Sequence, residues 1–309
     1  MKYTLPTRRE LITLIACIVA FLSLTGIFIG LRPEHIFLVL LYIVLFYASP
    51  YTRKLAVALL PFAIFGVSYD WMRVYPNYMV NDIDVAGLYN AEVQYFGITI
   101  DGAKHTLCEY FAQHHWPIAD FFAGLFYLCW VPVPIAFGVA LLLQGKKELA
   151  LRFAIVFLLV NLIGFAGYYI HPAAPPWYAI QYGFEPILGT PGNVAGLGRF
   201  DAMVGMDIFA PMYGRNANVF AAVPSLHSAY MPVAFTYALI GRSKKWVIAT
   251  FSVIMLGIWF TAIYSGHHYM IDVLLGIACA GAGILLFEQG LMRIPAFRRF
   301  IARYTAYIS

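Results

Sequence analysis

Charged residues are scarce in this 309-residue chain: Asp, Glu, Lys and Arg make up 11% of it, whereas 62% of the residues are hydrophobic and 17% are aromatic. A soluble domain of this length would carry about twice that charged fraction. Cysteine is scarce too, because the chain has four, and Cys108 alone lies outside the apolar runs. These shortages exclude an ordinary soluble protein, a disulfide framework and a cysteine-based zinc site.

The chain contains several long apolar runs. Each approaches the roughly 20 residues that a helix needs to cross a bilayer, where the backbone must satisfy its own hydrogen bonds. The sequence therefore predicts an all-α, polytopic membrane helix bundle of about eight transmembrane helices in a single membrane domain, residues 1–309. The predicted spans are about 9–31, 35–50, 54–70, 118–143, 149–170, 221–241, 246–264 and 268–290.

Lysine and arginine are distributed unevenly between the two sides of this bundle. With the N-terminus inside, 15 of the 20 basic residues fall in inner segments, beginning with Lys2. The outer segments keep Arg32, Arg73, Lys104, Arg199 and Arg215. A bias of basic residues toward the cytoplasm sets orientation, so both termini are predicted to be cytoplasmic. The net charge of +5 thus reflects membrane topology, and we expect no binding of nucleic acid.

Two connections between the predicted spans are long, and both face outside on this topology. In residues 71–117, apolar and aromatic residues recur among charges at near-helical spacing, which predicts short helices in the membrane interface. Residues 171–220 are rich in glycine and proline, so we expect an irregular capping loop. A connection of about fifty residues in a compact protein is usually functional.

The stretch VPSLHS places Ser225 and His227 where the sixth predicted span begins, just after Pro224. The start of a helix presents free N–H groups and a positive dipole end, which together favour a phosphate. Ser225 can add a hydroxyl group, and His227 can donate a proton. The same residues also fit a serine N-cap beside an interfacial histidine, and this stretch alone does not separate the two interpretations.

The stretch YSGHHYMID, residues 264–272, begins the eighth predicted span. His268 and Asp272 are four residues apart, so we expect them on one face of that helix, at its outer end. A carboxylate beside one ring nitrogen fixes the tautomer and raises the basicity of the other nitrogen, as in an oriented nucleophile or base. An unpaired carboxylate there would be costly. His267 points about 100° away and is expected to be an interfacial residue.

A metal site is another interpretation of the same residues. Zinc hydrolases usually offer three protein ligands, which His227, His268 and Asp272 could supply, with His171 nearby. Ser225 at a helix start, with basic residues in the adjacent loop, suits direct phosphate binding better. We therefore predict no metal and no other cofactor.

These two stretches carry a family resemblance. PSLHS and SGHHYMID resemble the second and third signature motifs of the type 2 phosphatidic acid phosphatase superfamily. The resemblance implies a core of six membrane helices, with His227 as general acid, His268 as nucleophile and Asp272 as the residue that orients it. The stretch HPAAPPWY, at the end of the fifth span, resembles fungal inositol phosphorylceramide synthases and their bacterial relatives, in which Ala-Pro-Pro-Trp-Tyr precedes the same two motifs.

Two basic positions of the superfamily are absent from this chain. The usual first motif, a lysine seven residues before Arg-Pro, is missing, and Ala262 stands where an arginine normally precedes the nucleophile by six residues. Other outer basic residues must then neutralise the phosphate. Arg215 is the first candidate because it lies ten residues before Ser225, and Arg73 is the second, although each could equally be an ordinary solvated arginine.

The resemblance implies a membrane phosphotransferase that moves phosphoinositol from phosphatidylinositol to ceramide through a phosphohistidine. The products would be inositol phosphorylceramide and diacylglycerol. Trp177 and Tyr178 could pack on the inositol ring or a lipid chain, although interfacial anchoring is the common role of such residues. The site would face outside, which means the periplasm, the cell surface or an organelle lumen.

Two alternatives remain open from the sequence. Water as the acceptor would make the protein a lipid-phosphate phosphatase or phospholipase. A transporter or lipid-binding scaffold is disfavoured because the polar residues gather at helix ends and no internal repeat is visible. The sequence fixes neither the donor headgroup, nor the acceptor, nor the oligomeric state.

Overall fold

The computed structural model describes residues 5–309 and is mostly helical. Lys2, which was assigned to the inner side, lies outside the described residues. The elements are α1 (Arg8–Phe28), α2 (Pro33–Ala48), α3 (Pro50–Ala58), α4 (Leu60–Trp71), α5 (Ala86–Phe96), β1 (Ile98–Ile100), β2 (Ala103–His105), α6 (Leu107–Gln113), α7 (Pro117–Leu128), α8 (Pro132–Leu143), α9 (Lys147–Ile170), α10 (Pro176–Tyr182), α11 (Gly198–Val204), α12 (Phe209–Gly214), α13 (Leu226–Ile240), α14 (Lys245–Tyr264), α15 (Met270–Leu285) and α16 (Pro295–Ile308). The expected helical bundle is confirmed.

Four helical segments are each long and apolar enough to cross a membrane: α1, α9, α14 and the segment Met270–Arg293, which contains α15. Two bent pairs pass the same test as units, α3 with α4 at 49° and α7 with α8 at 45°. Residues 5–309 therefore contain up to six spans by this test. The other two predicted spans correspond to α2 and α13, which have 16 and 15 residues. The total of eight stays a prediction.

Prolines accompany the bends in two spans that the sequence had suggested were continuous. The predicted span 118–143 breaks between Leu128 and Pro132, and the predicted span 54–70 breaks at Leu59. Pro132 begins α8, and Pro61 lies in the first turn of α4. Proline has no N–H group to donate and disfavours helical backbone in the residue before it. Each of these two predicted spans therefore consists of two helices joined by a bend.

Helix α13 packs against α9, α14 and α15 and belongs to the largest buried apolar cluster of the bundle. Its start approaches α15 closely at Gly276, where a Cβ atom would lie 2.1 Å from the carbonyl oxygen of Ser225. A larger residue at Gly276 would force the two helices apart. Close packing at this glycine therefore places the beginning of α13 beside the first turns of α15.

The two long connections fold together into one cap. Residues 71–117 form α5, the β1–β2 hairpin and α6; the helices are short, as expected, the hairpin was not predicted, and the location at a membrane interface stays a prediction. Residues 171–220 form three short helices within irregular backbone, as expected of a capping loop. Single backbone bridges join Asp84 to Ala173 and Ala173 to Ala221. They tie both connections to the segment that leads into α13.

The other end of the bundle gathers the chain's basic segments around α16, a helix that the sequence had not revealed. The Tyr307 hydroxyl donates to a carboxylate oxygen of Glu10 at 2.6 Å, and Arg53 lies 3.7 Å from the same carboxylate group. The Lys147 ammonium group donates to the carbonyl oxygen of Ser309 at 2.7 Å. The starts of α1, α3 and α9 therefore share one end of the molecule with the C-terminal helix.

Candidate active site

His227 and His268 form the centre of the candidate site. His227 lies in the first turn of α13, and His268 lies in the turn between α14 and α15. The Nδ1 atom of His227 and the Nε2 atom of His268 are 3.1 Å apart, although 41 residues separate them in sequence. This is a hydrogen-bond distance, so one of the two nitrogens carries the proton between them. The two predicted motifs therefore meet at a single point.

A turn, rather than a helix, positions His268. Helix α15 begins two residues after it, so the prediction that His268 and Asp272 share one helix face was wrong. The backbone N–H groups of His267 and His268 both donate to the carbonyl oxygen of Ala262, at 3.1 and 2.9 Å. Gly266 has a φ of +75°, which glycine adopts without steric cost. This tight turn interrupts the helical path before α15 starts.

Asp272 approaches His268 from the first turn of α15 and is fully buried. Its Oδ2 atom lies 3.4 Å from Nδ1 of His268 and accepts a hydrogen bond from the backbone N–H of Tyr269 at 2.9 Å. The Oδ1 atom has no hydrogen-bond partner within residues 5–309. His268 is thus the side chain that can pair with this carboxylate, although Nδ1 of His268 makes no hydrogen bond among residues 5–309.

Ser225 caps helix α13 and is fully buried. Its hydroxyl oxygen accepts hydrogen bonds from the backbone N–H and the hydroxyl group of Ser228, at 3.4 and 3.1 Å. Its own backbone N–H donates to the carbonyl oxygen of Asp272 at 3.0 Å. The N-cap interpretation therefore describes the Ser225 side chain, and its backbone joins the two motifs.

A cavity of about 190 Å³ opens beside the histidine pair, and both His227 and His268 line it. Helices α4, α9 and α13 contribute aromatic side chains to its wall, and the cap contributes polar ones. Arg215 and Trp177, two of the predicted binding residues, also line this cavity. The other predicted binding residues, Arg73, Tyr178 and Ser225, are not part of its wall.

The two candidate arginines lie side by side but have different surroundings. The exposed guanidinium group of Arg215 makes no hydrogen bond or ion pair with any residue of the described chain. The Nε atom of Arg73 instead lies 3.1 Å from a carboxylate oxygen of Asp70, and its guanidinium group also donates to the backbone carbonyl of Arg215. The contact with Arg73 therefore holds the backbone of the segment that carries Arg215, and the guanidinium group of Arg215 itself stays free.

The aromatic pair of the HPAAPPWY stretch is buried in the cap rather than exposed at an interface. Trp177 is 5% exposed, and its backbone N–H donates to the carbonyl oxygen of Gly266 at 2.9 Å. The Tyr178 hydroxyl donates to the carbonyl oxygen of Glu185 at 2.9 Å and accepts from the N–H of Ile187 at 2.6 Å. Trp177 therefore belongs to the cavity wall, and Tyr178 holds the following loop.

His267 is buried beside the cavity, so the expectation of an interfacial residue was wrong. Its ring stacks on Tyr213 at a centroid distance of 4.1 Å and lies 5.9 Å from the ring of Tyr127. Its Nε2 atom lies 3.1 Å from the carbonyl oxygen of Val194, which can only accept, so Nε2 carries the proton. Burial and the nearby His268 lower the pKa of His267 to about 3, so this imidazole is neutral at physiological pH.

Glu92 of α5 is a buried residue of the site that the sequence reasoning missed. Its carboxylate accepts hydrogen bonds from the backbone N–H groups of Met270 and Ile271, at 2.9 and 3.2 Å, and so caps α15. Burial raises the pKa of Glu92, and the nearby charge of Asp272 adds to that rise. A lone glutamate 178 residues away from its partner leaves no local signal in the sequence.

The metal interpretation finds little support in the arrangement of side chains. Within residues 5–309, no group of three or more His, Cys, Asp or Glu side chains is arranged to hold an ion. His171, considered above as a further ligand, lies 3.2 Å from Asp84. Cys108, expected to lie alone outside the spans, is buried, and its thiol donates to the carbonyl oxygen of His268 at 3.4 Å. These side chains are therefore paired within the cap and the turn.

Comparison with known proteins finds a matching family model and several relatives. The family model of the PAP2 superfamily matches residues 100–286. The phosphoinositol dihydroceramide synthase of Bacteroides thetaiotaomicron is 66% identical over 304 residues, which cover 98% of this chain and 100% of that protein. The inositol phosphorylceramide synthase of Candida albicans is 33% identical over 162 residues, which cover 48% of this chain and 33% of that protein.

A third relative is the inositol phosphorylceramide synthase catalytic subunit of Saccharomyces cerevisiae. It is 33% identical over 123 residues, which cover 38% of this chain and 29% of that protein. The similarity to the fungal proteins is therefore partial, whereas the bacterial relative aligns over almost the entire chain. No solved structure is similar enough to this chain to count as a match.

Proposed function

The chain belongs to the PAP2 superfamily, and we propose that it is a membrane phosphotransferase that moves phosphoinositol from phosphatidylinositol to a ceramide-type lipid. The similarity to a phosphoinositol dihydroceramide synthase over nearly the whole chain supports this donor and favours dihydroceramide as the acceptor. The products are diacylglycerol and an inositol phosphorylceramide. The protein is an integral membrane protein, so both lipids reach the site from the bilayer.

One observation carries the proposal: the Nδ1 atom of His227 and the Nε2 atom of His268 lie 3.1 Å apart beside an open cavity, with Asp272 behind His268. Two histidines so close are suited to act on the same phosphorus atom, one as nucleophile and one as acid. The carboxylate beside Nδ1 of His268 favours the tautomer that leaves the Nε2 lone pair free.

In the first half-reaction, Nε2 of His268 attacks the phosphorus of phosphatidylinositol. The bond between phosphorus and the diacylglycerol oxygen breaks, and protonated His227 donates its proton to that oxygen. The phosphoinositol group is then bound to His268, whose imidazolium charge is stabilised by Asp272. The substrate phosphate takes the place of the direct contact between the two histidines.

In the second half-reaction, the primary hydroxyl group of the acceptor lipid attacks the phosphohistidine. His227, neutral after the first step, accepts the hydroxyl proton, and Nε2 of His268 leaves. Both residues return to their starting protonation states. No step changes an oxidation state, so the cycle needs no redox cofactor. A water molecule in place of the lipid hydroxyl would release inositol phosphate instead.

The remaining residues have supporting roles in this proposal. The free guanidinium group of Arg215 binds the phosphate, because it lines the same cavity as the histidines. Arg73 positions it through the backbone, and Ser225 holds the first turn of α13, whose N–H groups face the developing charge. Trp177 packs against the headgroup or the adjoining chain, and Tyr178 fixes the loop next to it.

We also propose that both termini are cytoplasmic and that the histidine site faces the outer side. The basic ends of α1, α3, α9 and α16 meet at one end of the bundle. The histidine pair lies at the other end, under the cap. This separation matches the distribution of lysine and arginine in the sequence.

Product analysis tests the proposed reaction. Purified protein in detergent would receive phosphatidylinositol and dihydroceramide in the presence of a chelator, and the lipids would be identified by mass spectrometry. We expect an inositol phosphorylceramide from the wild-type protein and none from His268→Ala. Release of inositol phosphate without a new sphingolipid would instead make the protein a phosphatase or phospholipase, and dependence on a metal would contradict the proposed mechanism.

A further inference from the structure

The cavity wall contains three asparagines of the cap: Asn193, Asn216 and Asn218. The amide nitrogen and the carbonyl oxygen of Asn193 are both bonded within the protein, at 2.9 and 2.7 Å. The same holds for Asn218, at 2.6 and 3.0 Å. These two side chains therefore support the cap and have little bonding capacity left for a ligand.

Asn216 differs from the other two because its donor group is free. Its Oδ1 atom accepts hydrogen bonds from the Tyr69 hydroxyl and from the backbone N–H of Asn218, the latter at 3.2 Å. A flipped carboxamide would place Nδ2 against the backbone N–H of Asn218, which can only donate, so the orientation is fixed. The Nδ2 group has no partner among residues 5–309. Asn216 thus offers two N–H donors at the cavity wall.

The end of α4 holds this segment in place. Besides the Tyr69 hydroxyl, Arg73 donates to the carbonyl of Arg215, and Asp70 pairs with Arg73 at 3.1 Å. Asp70 in turn lies 3.0 Å from the Nε2 atom of His35 in α2. All four supporting residues precede residue 100, where the match to the family model begins. A part of the chain outside that match therefore shapes this side of the cavity.

We propose that Asn216 is the residue that recognises the inositol ring, with its amide N–H groups donating to a ring hydroxyl oxygen while Arg215 binds the adjoining phosphate. This inference rests on the proposed function. A free cation and a free amide donor on adjacent residues fit a ligand that carries an anion next to neutral oxygen acceptors. A phosphate ester without ring hydroxyl groups would use the cation alone.

Inhibition by soluble headgroup fragments tests this assignment. Inositol 1-phosphate and methyl phosphate share the anion, but methyl phosphate has no hydroxyl groups on its alkyl part. In the wild-type protein, we expect inositol 1-phosphate to inhibit transfer about 10-fold more strongly, the contribution of one or two hydrogen bonds. Asn216→Ala should remove most of this preference, whereas Arg215→Gln should weaken both inhibitors together.

Three further variants keep the test independent of folding. Asn216→Asp retains the acceptor for the Tyr69 hydroxyl but loses the amide donors, so it should also lose the preference. Tyr69→Phe removes the hydroxyl group that holds the Asn216 carboxamide in place, so it should reduce the preference for inositol 1-phosphate partly. Asn193→Ala is the matched control in the same wall and should leave the ratio of the two inhibition constants unchanged.

The outcomes distinguish failure of the proposed function from failure of the assignment of Asn216. A wild-type protein that makes no inositol phosphorylceramide contradicts the proposed function itself. An active wild-type protein with no preference between the fragments, or a folded Asn216→Ala protein that keeps the preference, overturns the assignment of Asn216 alone.

Discussion

At the scale of single residues, His268 lies between two different partners. Its Nε2 atom faces His227 at 3.1 Å, and its Nδ1 atom faces Asp272 at 3.4 Å. Asp272 is fully buried, whereas His227 and His268 both line the cavity. The row of three side chains is therefore directional, with the carboxylate at the closed end and the histidine pair at the open end.

Substitutions along this row should have graded effects on transfer. His268→Ala removes the proposed nucleophile, and we expect kcat to fall by about 10³-fold or more. Asp272→Asn keeps the shape but removes the charge that is proposed to orient and stabilise His268, so we expect a fall of about 10- to 100-fold. The measurement is the initial rate of product formation at saturating phosphatidylinositol.

His115→Ala is the matched control for these variants. The His115 side chain is 43% exposed in the cap and has no role in the mechanism, so its removal should leave kcat nearly unchanged. A His268→Ala protein with more than a tenth of the wild-type rate would exclude His268 as the nucleophile.

His267 should make the folded protein sensitive to acid. Its pKa of about 3 lies below the ordinary value of 6.5, so between these values the unfolded chain binds a proton that the folded protein does not. The free energy of unfolding is therefore unaffected above pH 6.5 and falls below it, by about 2 kcal/mol at pH 5. His267→Gln keeps a side-chain N–H group for Val194 but does not titrate.

Melting temperatures at pH 7 and pH 5 check this expectation. We predict that His267→Gln loses less thermal stability than the wild-type protein on going from pH 7 to pH 5. An equal loss in both proteins would show that His267 does not remain neutral, and hence is not buried as described.

At the scale of elements, the start of α15 depends on the cap. The carboxylate of Glu92 in α5 accepts hydrogen bonds from the first two backbone N–H groups of α15, and Asp272 accepts one from the N–H of Tyr269. Two buried carboxylates therefore satisfy donors that every helix start leaves open. The first turn of α15 carries Asp272, so the position of the carboxylate that is proposed to orient His268 depends on these contacts.

Removing Glu92 should lower both stability and activity. Glu92→Ala leaves two buried N–H groups without acceptors, which we expect to cost about 1–3 kcal/mol and to lower kcat more than it changes KM. Glu92→Gln restores one acceptor and should recover part of both losses. Melting temperature and steady-state kinetics measure the two effects. Unchanged kcat in a folded Glu92→Ala protein would show that the cap does not position Asp272.

Some of these features could be predicted from the sequence and others could not, for physical reasons. The apolar runs indicate membrane helices because only a helix satisfies its backbone in hydrocarbon, and the motif spacing indicates His227, His268 and Asp272. Run length does not show a bend, although prolines lie at both breaks. Glu92 and Tyr69 could not be found, because their roles depend on contacts with residues 178 and 147 positions away.

At the scale of the whole molecule, the two ends of the bundle have opposite characters. One end gathers basic residues, the start of α1 and the C-terminal helix α16, and the other carries the cap, the cavity and the histidine pair. On the proposed orientation, phosphoinositol transfer would take place at the outer surface, and the basic end would face the cytoplasm.

Labelling of single cysteines tests this orientation. In a chain whose four native cysteines are replaced by serine or alanine, His115→Cys should react with a membrane-impermeant maleimide added to intact cells or spheroplasts. Arg299→Cys, on α16, should react only after the membrane is permeabilised. The reverse pattern would contradict the proposed orientation, because it would put the cap on the cytoplasmic side.

The most direct test of the central claim is the configuration at phosphorus during transfer. A chiral phosphorothioate analogue of phosphatidylinositol would be converted with dihydroceramide, and the configuration of the sphingolipid product would be determined. Two successive displacements, first by His268 and then by the acceptor hydroxyl, predict retention of configuration. Inversion would mean that the acceptor attacks phosphorus directly, and it would contradict the phosphohistidine intermediate on which the roles of His227, His268 and Asp272 depend.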